Sequence, residues 1–270
     1  MGSVQKTKIL ITGKNSYVGT QFEQYVRNRK DCDEYEIHKI SVRDEQWKKM
    51  NFGAYDVILH VAGLVHKNGK KKTAKEYKEI NSILPFELAK KAKKEGCAQF
   101  IFLSSVSVYG MDHGKITKET VEKPTSYYGK SKLLAEKNLI RLQSDDFLVA
   151  IIRPPMIYGE GCPGNYASLE KLAKVTRIFP KVKNKRSMLN VETLSEYLLT
   201  IIQKKKSGVF LPQDEEYHCT SELMVKLGEK YGRKIWLVSG VEWFFCLLKK
   251  QNGLIGRVVN KIFGDLYIEI

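Results

Sequence analysis

Tyr128 and Lys132 stand four residues apart in Tyr128-Gly129-Lys130-Ser131-Lys132, a spacing that puts both side chains on one face of a helix. A phenol with an ordinary pKa of about 10 works as an acid or base near neutral pH only where a nearby cation stabilises phenolate, and Lys132 stands where it could do so. A second segment, Phe100-Ile101-Phe102-Leu103-Ser104-Ser105-Val106-Ser107-Val108-Tyr109-Gly110, ends an apolar strand in serines. Open α/β sheets hold their ligands at such carboxyl edges. A third, Ile9-Leu10-Ile11-Thr12-Gly13-Lys14-Asn15-Ser16-Tyr17-Val18-Gly19, runs from strand through a glycine turn into a helix. Gly13 permits the tight turn, Gly19 lets the helix approach the strand, and the N–H groups of the helix N-terminus suit a pyrophosphate. Ser16 replaces the usual middle glycine. Singly, each segment has an ordinary structural explanation; together they carry information.

The elements that must position these residues alternate. Strand candidates are Lys8 to Thr12, Glu36 to Ile40, Asp56 to Val61, Gln99 to Ser104 and Phe147 to Ile152, and between them lie amphipathic helices such as Gly19 to Arg29, Tyr77 to Lys94 and Tyr128 to Gln143. This rhythm predicts an α/β fold, a Rossmann-type doubly wound parallel sheet. After residue 158 it changes: Gly159 to Gly164 (GEGCPG) opens a region of mixed helices and short strands, including Val209 to Leu211 and Ile235 to Val238. We therefore expect a nucleotide-binding domain over 1–158 with a return segment at about 186–212, and a smaller, partly interleaved C-terminal substrate lobe over 159–185 and 213–270.

Bulk properties narrow the class. The 270 residues are 43% hydrophobic with only 7 Pro, which excludes intrinsic disorder and collagen. Five scattered cysteines without a CxxC pair suggest neither a disulfide framework nor a zinc site, so the default compartment is the reducing cytoplasm. A net charge of +16 points to an anionic partner without naming it. The runs Lys67 to Lys72 and Lys90 to Lys94 are lysine-rich without interleaved arginines and aromatics, and read as solvated faces; nucleic acid is not expected as a partner. No apolar stretch approaches the roughly 18 residues of a spanning helix. The histidines show no metal-ligand spacing, so no metal is expected.

In this order the segments resemble the extended short-chain dehydrogenase/reductase family, in its nucleotide-sugar epimerase and reductase branch, which includes NAD-dependent epimerase/dehydratase-like enzymes and capsule and O-antigen enzymes acting on UDP-sugars. The resemblance covers roughly residues 7–200: the turn at Gly13 to Gly19, His60-Val61-Ala62-Gly63 after a strand counted as the fourth, Asn81, Ser105 to Gly110, Tyr128 with Lys132, Arg153-Pro154-Pro155 with Tyr158-Gly159, and Arg186 before Val191-Glu192. It implies that Tyr128 is the general acid/base, that Lys132 lowers its pKa and binds the nicotinamide ribose, and that Ser105 orients the reacting oxygen. It further implies cofactor contacts from Gly13, Lys14, Ser16, Tyr17, Val18, Gly19, Val61, Ala62, Gly63, Asn81 and Pro154. Asn165 and Arg186 resemble positions that hold the substrate diphosphate. Family members often dimerise through the helices around Tyr77 to Lys94 and Tyr128 to Gln143, so a homodimer is an expectation by analogy.

Within the branch, dehydratases follow the catalytic hydroxyl residue with an Asp-Glu pair; here Val106 and Ser107 stand there, which disfavours dehydration. The tip of the second strand carries Ser41 and Arg43, and the glycine turn adds Lys14, which favours NADPH over NAD. The short C-terminal lobe and the stretch Phe179 to Leu189 resemble enzymes acting on UDP-amino-sugars. The expected activity is reduction of a UDP-4-keto-6-deoxy-hexosamine at C4 in surface-polysaccharide biosynthesis; the alternative is a UDP-sugar 4-epimerase with tightly bound NAD. A catalytically silent scaffold is disfavoured because both Tyr128 and Lys132 are present. Val241 to Lys250, aromatic and apolar with two closing lysines, is compatible with weak association with an anionic membrane, although a core-packing helix is the preferred reading.

Overall fold

A computed structural model describes residues 6–65, 72–240, 259–260 and 262–269. His66, all but the last residue of the Lys67 to Lys72 run, the Met1-Gly2-Ser3 start and the Val241 to Lys250 segment lie outside the described residues. In chain order the elements are β1 (Thr7–Thr12), α1 (Tyr17–Arg27), β2 (Tyr35–Ile40), β3 (Val57–His60), α2 (Ala74–Lys78), a π turn (Glu79–Ile83), α3 (Leu84–Lys94), β4 (Gln99–Leu103), β5 (Gly114–Ile116) and α4 (Tyr127–Ile140). They continue with β6 (Leu148–Ile152), β7 (Met156–Tyr158), α5 (Asn165–Val175), β8 (Ile178–Pro180), β9 (Met188–Asn190), α6 (Val191–Gln203), β10 (Gly208–Phe210), α7 (Thr220–Lys230), β11 (Trp236–Val238) and β12 (Leu266–Ile268). The chain divides into two compact units: Met1–Val108 with Pro124–Pro154 and Asn190–Pro212, and Tyr109–Lys123 with Pro155–Leu189 and Gln213–Ile270.

The first unit holds a six-stranded parallel sheet in the order β10-β6-β4-β3-β1-β2. Continuous apolar strands such as Ile9-Leu10-Ile11 are fully buried because helices cover both faces. Leu10, Ile58, Phe100 and Phe102 form one core with Leu88 and Ala92 of α3 and Ala135 and Leu139 of α4. On the opposite face α1 packs on α6, and Gly19 brings α1 against Ile11. From β1 the chain goes outward to β2 and returns to β3 on the other side of β1, so the carboxyl ends of β1 and β3 flank the switch point where such sheets bind ligands. The strand ending at His60 is third in the chain, not fourth, because residues 41–56 form two short 3-10 turns, Glu45–Lys49 and Phe52–Ala54, and no strand.

The second unit consists of α5, packed against α7, and three two-stranded sheets: β11 with β8, β12 with β5, and β7 with β9, whose last residue, Asn190, belongs to the first unit. Residues 109–123, expected in the nucleotide-binding domain, group instead with this unit, because Gly114, Lys115 and Ile116 pair in register with Leu266, Tyr267 and Ile268. The expected boundaries at 158 and 186 likewise move, to 154 and 190. Asn184 helps to hold the unit together: its amide donates to Thr220 Oγ1 at 2.9 Å and accepts from the Thr220 N–H at 2.9 Å.

Candidate active site

The turn after β1 is built for close approach. Gly13 has φ +116°, and a Cβ there would lie 3.0 Å from the Ala62 nitrogen, so an alanine would be both strained and crowded. The N–H groups of Gly13 and Lys14 both donate to the Ile40 carbonyl at 2.9 Å, which fixes the turn to the end of β2. Ser16 supplies the N-cap of α1 by accepting from the Gly19 N–H at 3.4 Å, so the residue in the middle-glycine position starts the helix.

Helix α4 carries Tyr128 and Lys132. Ser126 caps it by accepting from the Gly129 N–H at 3.0 Å. A Cβ on Gly129 would collide with the Ser107 carbonyl oxygen, so this glycine lets the helix start lie directly on the serine-bearing loop after β4. Sequence reading missed that role, although the glycine follows Tyr128 immediately. The result is a cluster in which the Ser105 hydroxyl hydrogen-bonds with the Tyr128 phenol, while the Ser105 hydroxyl also donates to Ser107 Oγ at 3.1 Å. The Lys132 Nζ donates to the Leu103 carbonyl at 2.7 Å and sits 4.4 Å from the centre of the Phe102 ring and 6.0 Å from that of Tyr128.

The electrostatics differ from expectation at one point. Burial pushes the Tyr128 hydroxyl up to about 12, with Ser105 acting to lower it. Lys132, buried with only 4% exposure, is itself driven down to about 7, with Glu136 acting in the opposite direction. Near neutral pH the lysine is therefore only partly charged and the phenol is protonated. Burial, and secondarily Lys132, likewise hold His60 down at about 3, hence neutral. Its Nδ1 lies 2.6 Å from Thr12 Oγ1, its Nε2 is buried with no hydrogen-bond partner, and its ring stacks with Phe100 and Phe102.

A layer of buried polar groups beneath the cluster was not anticipated. The Glu136 carboxylate, 1% exposed, accepts from Arg153 Nη2 at 2.6 Å and from its Nε at 3.2 Å, and also bonds to Ser104. The available signal was periodicity: Tyr128, Lys132 and Glu136 recur every four residues on one helical face. Asn81 lies in the π turn, a helix irregularity often found at functional sites. Its Oδ1 accepts from the Leu64 N–H at 2.7 Å, and its Nδ2 donates to the Leu64 carbonyl at 3.0 Å and to Ser131 Oγ at 3.2 Å. Asn81 thus ties the loop after β3 to α4.

The other expected residues fall as follows. Val61 and Pro154 are buried, the Pro154 carbonyl accepts from the Val106 N–H at 3.1 Å, and a Cβ on Gly63 would lie 3.4 Å from Lys132 Nζ. Lys14 and Arg43 are exposed, Tyr17 is partly buried and Val18 is buried. Asp44 caps the following 3-10 turn by accepting from the Gln46 N–H at 3.1 Å, while Ser41 Oγ accepts from the Arg43 N–H at 3.3 Å. In the second unit, Asn165 is exposed at the first position of α5, and Arg186 donates from Nη1 to the Gly264 carbonyl at 2.9 Å. Among the described residues no group of His, Cys, Asp or Glu could hold a metal, and no helix is long and apolar enough to cross a membrane.

Comparison with known proteins agrees with this architecture. The chain is similar to a UDP-glucose 4-epimerase of Vibrio cholerae, 28% identical over 97% of this chain and 87% of that protein. The fold is shared with a dTDP-4-dehydrorhamnose reductase from Clostridium acetobutylicum at TM-score 0.71 and 22% identity, covering 86% of this chain and 83% of that one. It is also shared with a UDP-glucuronic acid 4-epimerase from Bacillus cereus in complex with NAD, at TM-score 0.70 and 17% identity, covering 95% and 97%. Residues 9–210, which include the glycine turn, the serine loop and the Tyr128–Lys132 helix, match the model of the NAD dependent epimerase/dehydratase family, and the chain belongs to that family.

Proposed function

We propose that this enzyme is a reductase that converts the 4-keto group of a UDP-4-keto-6-deoxy-hexosamine to an alcohol, using NADPH, in the building of a surface polysaccharide. The observation that carries this reading is the cluster of Ser105, Tyr128 and Lys132 with the phenol held protonated. A ketone reduction consumes one proton at the carbonyl oxygen, and a neutral phenol is ready to give it. Ser105 hydrogen-bonds the same oxygen and fixes its position. Lys132, partly charged near neutral pH, stabilises the phenolate left behind.

The residues fit a nicotinamide dinucleotide. The absent side chains of Gly13 and Gly63 leave room beside Ala62 and Lys132, and the first turn of α1 offers N–H groups to a pyrophosphate. In this reading Gly13 to Gly19, Val61 to Gly63, Asn81, Pro154 and Lys132 hold the cofactor, which supplies hydride to C4, and Asn81 also fixes the loop after β3. Lys14 and Arg43 receive the 2′-phosphate, while the Asp44 carboxylate, already committed as a cap, is poorly placed to claim a ribose hydroxyl. The assignment of Asn165 and Arg186 to the substrate diphosphate rests on the family resemblance.

A second reading, a UDP-sugar 4-epimerase retaining NAD, is favoured by the alignment with the Vibrio cholerae epimerase along almost the whole chain. The two differ in whether cofactor stays bound between turnovers. Denaturing the purified protein and identifying the released nucleotide separates them: an empty site that then binds NADPH better than NADH supports the reductase, and stoichiometric NAD overturns it. Tyr128→Phe should lower turnover about 10²- to 10⁴-fold with nucleotide binding retained; unchanged turnover would remove Tyr128 as the acid.

A further inference from the structure

An exposed apolar patch in the second unit is not used by the reaction. In the register of β8 with β11, Ile178 lies beside Trp236 and Pro180 beside Val238. Alternation puts these four on one face of the two-stranded sheet, opposite the buried Phe179. Ile178 is 62% and Trp236 60% exposed, and Val175, at the end of α5 and three residues before Ile178, is 74% exposed. The Trp236 N–H donates to the Arg177 carbonyl at 2.8 Å, so the helix end and the sheet are joined locally.

The charge around this patch is of one sign. Residues 171–183 carry Lys171, Lys174, Arg177, Lys181 and Lys183, and residues 230–240 carry Lys230, Arg233 and Lys234; neither stretch contains a carboxylate, with Glu170 and Glu229 at the borders. Among the described residues only Lys230 of these eight pairs with an acid, Glu170. Lys234 Nζ lies 4.1 Å from the centre of the Trp236 ring, so a cation stands directly against the apolar face, and both residues are exposed.

We propose that this face docks on the surface of a bilayer containing anionic phospholipid, with Val175, Ile178, Trp236 and Val238 entering the interface and the surrounding cations meeting the headgroups. Only an occupant that is both apolar and anionic satisfies the two features together. A second copy of the same face would set eight cations against eight, and a nucleic acid would leave the aliphatic side chains unburied. Tryptophan and lysine are side chains suited to a boundary between hydrocarbon and water. The docking needs no substrate and no cofactor, so it stands or falls separately from the reductase reading.

Co-sedimentation of the full chain with vesicles of phosphatidylglycerol and phosphatidylcholine, compared with phosphatidylcholine alone, tests this at low and high salt. Binding should require phosphatidylglycerol and weaken at high salt. The triple variant Lys174→Glu, Arg177→Glu, Lys234→Glu should lose about a hundredfold in affinity or more, at roughly fivefold per cation. Trp236→Ser should abolish a blue shift of tryptophan fluorescence seen on binding. All these side chains are exposed, and an unchanged melting temperature confirms that the variants fold. Absence of binding to the anionic vesicles at low salt, equal binding to phosphatidylcholine alone, or full retention of binding by both variants would each overturn the proposal. Competition by an oligonucleotide, with no blue shift on vesicles, would overturn it in favour of a nucleic-acid partner.

Discussion

Lys132 and Lys234 each place an ammonium over an aromatic ring, at 4.4 Å from the centre of Phe102 and 4.1 Å from that of Trp236. Around Lys132 the protein has removed water. Its Nζ donates to the Leu103 carbonyl, and burial drives its pKa to about 7. Lys234 stands on an exposed face among other cations, with water to solvate it. The same pair of side-chain types becomes a proton-sensitive group in one region and a surface charge in the other, because the cost of ionisation is set by the surroundings and not by the residue. Variants that alter those surroundings should therefore act strongly on the first region and weakly on the second.

The largest effect is expected from Glu136→Gln. It leaves the Arg153 guanidinium buried beside a neutral amide, and breaking one side of a buried ion pair typically costs about 3–5 kcal/mol, read as a lowered denaturant midpoint. Glu136 also acts to raise the pKa of Lys132. Removing its charge moves Lys132 further down, so the alkaline limb of the rate profile should shift to lower pH. The double variant Glu136→Met, Arg153→Met separates the two effects: most of the stability should return while the shifted limb persists. A limb that returns with stability would mean that Glu136 only holds the fold.

These two regions were also unequally legible in the sequence. Tyr128 and Lys132 are four residues apart, and Ser105 ends an apolar strand; local spacing alone brings such groups to notice. The Glu136–Arg153 pair spans 17 residues and Ser104–Glu136 spans 32, so their meeting depends on how β4, α4 and β6 pack. Gly129 reads as a minor helix residue until the Ser107 carbonyl is found against it. The parallel sheet announced itself through short β-branched runs alternating with amphipathic helices, whereas β5 and β12 are three residues each and about 150 residues apart in sequence. Pairing across such a separation leaves no local signal, so the grouping of 109–123 with the second unit is not legible in the sequence. How far burial shifts Tyr128 and Lys132 was hidden for a similar reason: spacing shows proximity, but desolvation depends on everything packed around both groups.

Arg43 offers an intermediate case, a solvated cation at the edge of the nucleotide-binding unit. Its side chain is exposed at the tip of β2, and its N–H is held by Ser41 Oγ. Arg43→Ala should leave stability within about 0.5 kcal/mol, as surface substitutions usually do. It should lower the preference for NADPH over NADH by roughly tenfold, equivalent to about 1.4 kcal/mol. Binding titrations with both nucleotides provide the measurement. An unchanged ratio would exclude Arg43 as the 2′-phosphate ligand and leave Lys14 to be tested in the same way.

The smallest effect should come from Lys234→Ala. An exposed cation–π contact contributes about 0.5–1 kcal/mol, and here the loss is partly offset because seven like charges nearby repel Lys234. The melting temperature should consequently change little at low salt, and the destabilisation should grow slightly at high salt, where the repulsion is screened more than the short contact is. If Lys234→Ala instead destabilised the fold as much as Glu136→Gln, Trp236 and its neighbours would have to be buried in solution, and the contrast between a dry lysine and a wet one would collapse.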